Sequence, residues 1–341
     1  MTTRRQALRQ VALLASTAGW PPASGAGAPK RIGILSEASP EAAKETLNWE
    51  PEYWELMAKR GWVIGKNVVV ERSLAETKSE RLPRLAQELV RKRVDLIVCY
   101  GDQEAMVAAA RATRTIPIVV FDVLDPVEQG LVESWAHPGR NVTGICLSRG
   151  PDLAMKRLQY LRTVAPSAKR LCWLWGHDTS MATSVDGRRY DVAGSLAAAA
   201  QKMQFETRIY HVTDPSAIDK ALADAGKWQA EAVTTSGFPP FLARREVVRV
   251  ALRERWPSAF AVAEFVQAGG LLSLAVAESE AELLFLRWID YIDRVLRGAN
   301  PSTMPVVGAD RYELQINMKT AEALGLTVPQ SMLSRADALV R

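Results

Sequence analysis

The clearest pattern of hydrophobic and polar positions starts with the apolar run Val94–Tyr100. The turn Gly101-Asp102 follows, and then Gln103–Thr113, in which apolar residues recur at helical spacing. A second apolar run, Ile118–Phe121, comes next. The order strand, helix, strand in about thirty residues predicts one βαβ unit. Continuously apolar strands are typical of a parallel sheet that is covered by helices on both faces.

The same pattern continues on both sides of this unit. Predicted strands are Arg31–Leu35, Asn67–Glu71, Asn141–Leu147, Arg170–Trp175, Phe205–Tyr210, Ala232–Ser236, Ser258–Val262, Leu271–Leu274 and Tyr312–Ile316. Predicted helices are Tyr53–Arg60, residues 79–90, Met155–Val164, residues 192–200, Ala217–Ala225, Phe241–Arg255, Glu280–Leu296 and Met318–Leu324. Because the pattern restarts after residue 147, we expect two doubly wound α/β lobes with a cleft between them.

The N-terminus has a different character from the rest of the chain. A basic segment, Thr3–Arg9, precedes the short apolar run Val11–Ala18, and small residues follow Pro21-Pro22. This order predicts a secretory signal over residues 1–26, and Arg4-Arg5 also resembles a twin-arginine signal. The alternative is an amphipathic N-terminal helix. We expect an exported, periplasmic protein.

Composition and charge restrict the function classes. The 341 residues are 48% hydrophobic and 24% charged, which argues against disorder and against a membrane protein with many spans. The formal charge is +5, but the predicted signal carries three arginines and no acid, so the remaining chain has a charge of +2. This gives little support for a nucleic-acid partner, and we predict none.

The chain shows no pattern of a metal, disulfide or nucleotide site. Cys99, Cys146 and Cys172 each lie in an apolar run without CxxC spacing, which predicts buried free thiols, with one bridge as the alternative. No GxGxxG follows the first strand, and no nucleophile has a base beside it. We therefore predict no cofactor, no metal and no catalytic residues.

Several long segments carry a resemblance to a known family. They are RIGIL, RGWVIGKNVVVERSLAETKSERLPRLAQELVRKRVDLIV, ATRTIPIVVFDVLDPVEQGLVESWAHPGRNVTGI, EFVQAGGLLS and YELQINMKTAEALGLTVPQSMLSRAD. Together they closely resemble the exported substrate-binding proteins of ABC transporters, in the family that includes tryptophan- and phenylalanine-type binding proteins. The resemblance runs from Arg31 to the end of the chain.

This resemblance implies a type I periplasmic binding protein. Two Rossmann-like lobes with parallel sheets would be joined by a three-crossing hinge, and a ligand would be closed in the cleft. We expect residues 30–145 and 268–303 to form one lobe, and residues 146–267 and 304–341 to form the other. The crossings are expected near Thr143–Ser148, Glu264–Gly270 and Met304–Asp310.

Ligands of such sheets sit outside the carboxyl ends of the strands. In the first lobe the predicted ligand-binding residues are Ser36, Tyr100, Gly101, Asp102, Gln103, Phe121, Asp122 and Val123. In the second lobe they are Trp175, His177, Phe238, Glu264 and Phe265. The first turn after Asp102 could also offer backbone N–H groups to an anion.

Alternatives stay open at several of these positions. The family usually has a small hydroxyl residue and a proline after the glycine, where this chain has Asp102-Gln103. Asp102 either caps the helix or, like Asp122, meets a cationic group. His177 is a solvated loop residue or a ligand contact. Trp175 and Phe238 stack on a flat ligand or pack in the core. Glu264 binds an amine or makes a hinge salt bridge.

The predicted function is a solute-binding protein of an ABC importer. It would bind a small molecule, an amino acid or a related compound, by hinge closure, and would then dock as a monomer on a membrane permease. The rival functions are an exported sensor or scavenger without a transport role, a two-lobed α/β enzyme, and the core of a sugar-type repressor.

Overall fold

The computed structural model describes residues 28–38, 50–76, 78–123, 125–147, 152–176 and 181–341. The strands are β1 Lys30–Ser36, β2 Val68–Leu74, β3 Leu96–Tyr100, β4 Ile118–Phe121, β5 Val142–Cys146, β6 Arg170–Trp175, β7 Met181–Thr183, β8 Arg189–Asp191, β9 Glu206–His211, β10 Ala232–Ser236, β11 Ser258–Phe260, β12 Leu272–Val276, β13 Val307–Gly308, β14 Tyr312–Asn317 and β15 Ala338–Val340. The α-helices are α1 Glu50–Lys59, α2 Leu82–Arg91, α3 Gln103–Ala112, α4 Asp152–Val164, α5 Val192–Lys202, α6 Ile218–Lys227, α7 Phe238–Leu242, α8 Arg244–Arg253, α9 Glu264–Gln267, α10 Glu278–Leu296, α11 Met318–Leu324 and α12 Gln330–Leu333.

The first sheet has the strand order β13-β5-β4-β3-β1-β2, and all its paired strands are parallel. Its register places Tyr100 beside Phe121 at the carboxyl ends of β3 and β4. All four residues of β4 are buried, as are the first four of β3. The continuous apolar runs therefore form central strands that are covered on both faces, as predicted.

The second sheet has the order β15-β14-β12-β11-β10-β6-β9. Its strands pair in parallel except for β12 and β14, which are antiparallel. Alternate residues of β6 enter opposite cores: Trp173 packs with α4 and α5, whereas Cys172 and Leu174 pack with α6 and α8. Helices on both faces thus bury this sheet as well.

The described residues divide into two compact units, and the chain passes between them three times. The first unit holds the residues up to Leu147 and Glu278–Gly308, and the second holds those from Asp152 to Ala277 and Ala309–Arg341. The boundary expected at residue 268 comes too early, because β12 pairs with β11 and β14 inside the second sheet. The boundary expected at residue 304 also comes too early, because β13 pairs with β5 in the first sheet.

Short elements are where the structure differs most from the sequence pattern. The stretch between the predicted strand Arg170–Trp175 and the predicted helix 192–200 contains β7, which pairs with β8 as an antiparallel hairpin. The predicted helix Phe241–Arg255 is two helices, since α7 ends at Leu242 and α8 begins at Arg244. Strands of two or three residues, such as β13 and β15, are too short to produce a period that the sequence could show.

Three further findings concern the chemistry expected from composition. Cys99, Cys146 and Cys172 are buried, and none of them forms a disulfide within the described residues, which confirms that prediction. Within the described ranges, no helix combines the length and the apolar character that crossing a bilayer requires. The predicted signal, residues 1–26, lies outside the described residues.

Candidate functional site

The carboxyl edge of the first sheet brings several of the predicted residues together. The backbone N–H of Gly101, after β3, donates to the carbonyl of Phe121 at the end of β4, with an N···O distance of 2.9 Å. The loop after β1 reaches the same place, because the N–H of Glu37 donates to the Asp102 carboxylate. Three strand ends therefore meet here, as parallel topology requires.

Asp102 is the N-cap residue of α3. Its Oδ1 accepts from the backbone N–H of Ala105 at 3.1 Å, and its Oδ2 accepts from Glu37. Burial above all, together with the charge of Glu104, raises the pKa of Asp102 to about 7, although the two N–H donors act in the opposite direction. The structure thus shows the capping alternative. The Asp102 carboxylate also accepts from the backbone N–H of Ala105, which lies in the turn that the sequence analysis considered as a binding site for an anionic ligand.

Acidic side chains surround this helix terminus. Carboxylate oxygens of Glu37, Asp102 and Glu104 lie within 4.8 Å of one another. The Oε2 atom of Glu104 is buried and accepts no hydrogen bond from the described part of the chain. A ligand carboxylate would be repelled here, whereas a cationic group would be attracted.

A hydrogen-bonded chain of side chains fixes the neighbouring loop. Gln103 Nε2 donates to the backbone carbonyl of Asp122 at 2.9 Å, and Gln103 Oε1 accepts from Gln129 Nε2 at 2.7 Å. Gln129 is only 3% exposed, and its own Oε1 has no hydrogen-bond donor among the described residues. The edge therefore presents a buried acceptor in addition to its carboxylates.

Asp122 adopts a backbone conformation that few residues other than glycine tolerate, with φ of 64°. Its N–H donates to the carbonyl of Ile145 at 2.9 Å. Burial raises the pKa of the Asp122 carboxyl to about 6, and a hydrogen bond from the backbone of Leu147 acts in the opposite direction. A half-buried carboxylate is therefore held at the strand end at some energetic cost.

The pH dependence of stability tests this description of Asp122. Between pH 4 and pH 6 the native state keeps a proton that the unfolded chain has released, so the free energy of unfolding falls as pH rises through that window. Asp122→Asn keeps the φ preference and an acceptor for Leu147 but removes the charge. Urea unfolding should show the variant gaining up to about 3 kcal/mol over the wild type from pH 4 to pH 6.5. Parallel pH profiles for the two proteins would contradict it.

Aromatic rings line the same edge. The rings of Tyr100 and Phe121 are stacked, with centroids 5.0 Å apart and planes 2° apart. Trp288 of α10 lies 5.8 Å from Tyr100 and 5.3 Å from Phe121, and Phe285 packs edge-on against Phe121. Tyr100 is the partly exposed member, so its ring ends an otherwise buried aromatic cluster. Beside the acidic groups, this forms a flat apolar surface.

The remaining predicted residues of the first unit have clear positions. Ser36 ends β1, and its Oγ accepts from the N–H of Ala38 at 3.1 Å. Val123 is fully buried. It follows Asp122 into the core of the unit, so its side chain supports the edge and does not line it.

In the second unit the structure separates the predicted residues. Trp175 is buried at the end of β6 and packs in the core, which was one of its two alternatives. Glu264 is exposed in the first turn of α9. Phe265 was predicted to contact ligand; in the structure its ring is 1% exposed and stacks on Phe260 inside the core, with the ring centroids 4.1 Å apart. His177 and the side chain of Phe238 lie outside what the structure describes.

Two glycines bring the loops after β6 and β10 into contact. Gly176 donates its N–H to the carbonyl of Ser236 at 2.8 Å, and a Cβ on Gly237 would lie 2.8 Å from the Cα of Gly176. The carboxyl edge of this sheet is therefore formed by backbone at that point.

Sequence reasoning missed Gln129, Phe285 and Trp288. Gln129 belongs to the loop after β4 and is joined to the site only by its hydrogen bond to Gln103. Phe285 and Trp288 are spaced three residues apart on α10, which is far from β3 and β4 in the chain. The sequence predicted only a helix over Glu280–Leu296, and the tertiary structure shows which of its residues are buried and what they meet.

Comparisons with known proteins give a consistent result. The family model of the ABC transporter substrate binding protein matches residues 54–340. The chain is similar to the tyrosine-binding protein of Clostridioides difficile, with 27% identity over 269 residues that cover 78% of this chain and 73% of the relative.

Solved structures show the same fold. The ABC domain in complex with L-Trp from Streptococcus pneumoniae has a TM-score of 0.68 at 22% identity, covering 92% of this chain and 100% of that one. A conserved domain protein from Vibrio cholerae has a TM-score of 0.69 at 21% identity, covering 91% and 99%. The predicted two-lobed α/β fold is confirmed.

Proposed function

Because the chain belongs to the ABC transporter substrate-binding protein family, we propose that it is exported and captures an aromatic amino acid for delivery to a membrane permease. The family and the relatives found are solute-binding proteins and not enzymes, which confirms that prediction. Family members of this kind are extracellular or periplasmic. The twin-arginine route, the monomeric state and closure of the lobes on the ligand stay predictions.

The observation that carries the choice of ligand is the carboxyl edge of the first sheet. A stacked pair of rings, Tyr100 and Phe121, lies beside the carboxylates of Asp102 and Asp122. The ring pair can stack against a flat apolar side chain, and the two carboxylates can bind an ammonium group. The tyrosine and L-Trp named for the relatives have both of these groups, which supports the proposal.

A thermal-shift screen of the protein without residues 1–26 tests the proposal. L-tyrosine and L-tryptophan should raise the melting midpoint, because a ligand at a hundredfold excess over its dissociation constant stabilises the native state by about 2.7 kcal/mol. Putrescine and myo-inositol, which lack the aromatic ring, serve as comparison compounds. A shift with either of them and none with the amino acids would contradict the proposal.

Variants of Tyr100 connect binding to this edge. Tyr100→Ala removes the partly exposed ring and should clearly reduce the ligand-induced shift, since stacking of two aromatic rings contributes about 1 kcal/mol beyond burial. Tyr100→Phe keeps the ring and should retain most of the shift. Equal shifts in the wild type and in Tyr100→Ala would place the ligand elsewhere.

A further inference from the structure

Asp122, one of the two carboxylates that the proposed function assigns to the ammonium group of the ligand, is held from three directions within the first unit. Its backbone N–H donates to the carbonyl of Ile145 at 2.9 Å, and its carboxylate accepts from the backbone N–H of Leu147. Its carbonyl accepts from Gln103 Nε2 at 2.9 Å. The peptide bonds on both sides of Asp122 are therefore fixed, and so is the direction in which its side chain leaves the backbone.

The backbone conformation of Asp122 explains why this support matters. Its φ of 64° lies in the left-handed region, which is strained for a residue with a side chain and persists only when the surroundings hold it. On the N-terminal side β4 and β5 provide this support, because they pair as far as Phe121 and Ile145. On the C-terminal side the hydrogen bond from Gln103 holds the carbonyl.

The Gln103 side chain is held in turn by Gln129. Gln129 Nε2 donates to Gln103 Oε1 at 2.7 Å. A glutamine side chain has three rotatable bonds, so an unsupported Gln103 would reach the Asp122 carbonyl in only some of its conformations. The hydrogen bond from Gln129 selects the conformation in which Gln103 Nε2 faces that carbonyl.

The loop after β4 gives Gln129 a fixed position. The backbone N–H of Gln129 donates to the carbonyl of Asp125 at 3.1 Å, and Asp125 Oδ1 accepts from two N–H groups of the same turn at 3.0 Å each. The carbonyl of the next residue, Gly130, accepts from Arg140 Nη1 at 2.6 Å. The backbone at Gln129 is therefore bound to its own turn and to the segment that leads into β5.

Burial separates Gln129 from the ligand itself. Gln129 is 3% exposed, so its side chain has almost no surface that a ligand could contact. A buried amide is costly unless it is hydrogen-bonded, and an apolar side chain of the same length would fill the space without that cost. The amide at position 129 is therefore explained by its hydrogen bond to Gln103 and not by packing.

We propose that Gln129 is a positioning residue, which acts through Gln103 to hold the Asp122 carboxylate in the orientation that binds the ammonium group of the ligand. The inference rests on the proposed function, since it concerns the same ligand. All the contacts that carry it lie within the first unit. Fixing a charged group in advance strengthens binding, because less conformational entropy is lost when the ligand binds.

Calorimetry with L-tyrosine on the wild type, Gln129→Met, Asp122→Asn and the double variant tests the inference. Methionine keeps the length of the glutamine side chain but has no amide. At pH 8 the Asp122 carboxyl is ionised, since burial raises its pKa only to about 6. Gln129→Met should bind L-tyrosine about tenfold more weakly, and Asp122→Asn about 30-fold more weakly. The double variant should bind as Asp122→Asn does, because no carboxylate is left to position.

A second probe separates positioning from a purely structural role. 3-(4-Hydroxyphenyl)propionate lacks only the ammonium group of L-tyrosine, so Gln129→Met should bind it as the wild type does. Gln103→Met should lose about as much affinity for L-tyrosine as Gln129→Met, and combining the two should add little. Gln87→Met is the matched control: Gln87 is exposed on α2 of the same unit, and its variant should bind both compounds like the wild type.

Each alternative result identifies which statement fails. If Gln129→Met binds L-tyrosine like the wild type, or loses the same factor with and without the Asp122 carboxylate, the inference is overturned while the proposed function stands. If it weakens the binding of L-tyrosine and of 3-(4-hydroxyphenyl)propionate equally, Gln129 only supports the fold and the inference is also overturned. A wild type that binds neither L-tyrosine nor L-tryptophan overturns the proposed function, and this inference with it.

Discussion

Trp288→Ala is expected to lower the free energy of unfolding of the first unit by about 4 kcal/mol. Trp288 is fully buried on α10, and its ring contacts those of Tyr53, Tyr100, Phe121 and Phe285 at centroid distances of 5.3 to 5.8 Å. Removing it leaves a cavity among four rings that are fixed to separate elements. Such a cavity closes poorly, so both burial and ring contacts are lost.

The same variant links the core to the site. Tyr100 and Phe121 would lose the ring that supports their stacked pair, so the ligand-induced thermal shift should fall together with stability. Urea unfolding followed by circular dichroism measures the first effect, and the shift with L-tyrosine measures the second. Leu283→Ala, on the same helix but 58% exposed, should change stability by less than about 0.5 kcal/mol. Similar decreases in the free energy of unfolding for Trp288→Ala and Leu283→Ala would show that the aromatic cluster does not stabilise the first unit.

The long elements of this protein are predictable from its sequence because burial on both faces leaves a strong pattern. β3, α3 and β4 lie close to where periodicity placed them, and their order fixed the edge at which Tyr100, Asp102 and Asp122 meet. Parallel topology brings these residues together, since it puts the carboxyl ends of neighbouring strands side by side. The capping role of Asp102 was also open to sequence reasoning, because aspartate before a helix is a common cap.

Interactions between distant segments are what the sequence does not show. Trp288 reaches Tyr100 from 188 positions along the chain, and the pattern of α10 records only that the residue is buried. Phe265 follows a strand in the sequence, as a ligand residue would, but the short helix α9 turns its ring onto Phe260. The sequence gives Arg157 the pattern of any charged residue on an amphipathic helix, and only the structure shows that it is buried.

Gly144 is a further position where the requirement for a particular residue comes from a neighbouring strand and is not visible in the local sequence pattern. It lies in the apolar run of β5, where any residue with a high strand preference would fit the pattern. In the structure its φ is 152°, and it pairs directly with Val120 of β4. A Cβ at this position would lie far inside the contact distance of the Val120 carbonyl oxygen. This atom is backbone in a central strand and cannot rotate away.

Gly144→Ala should therefore lower the free energy of unfolding by about 4 kcal/mol, from backbone strain and from displacement of β5 away from β4. The hydrogen bond from the Asp122 N–H to Ile145 lies one step along the same pair of strands, so the ligand-induced thermal shift should fall as well. Gly298→Ala is the control: its φ is 98°, but apart from its chain neighbours no atom of the described residues lies within 4 Å of the new Cβ, so we expect only about 1 kcal/mol. Equal costs in urea unfolding would mean that φ alone, and not the contact with Val120, requires glycine at position 144.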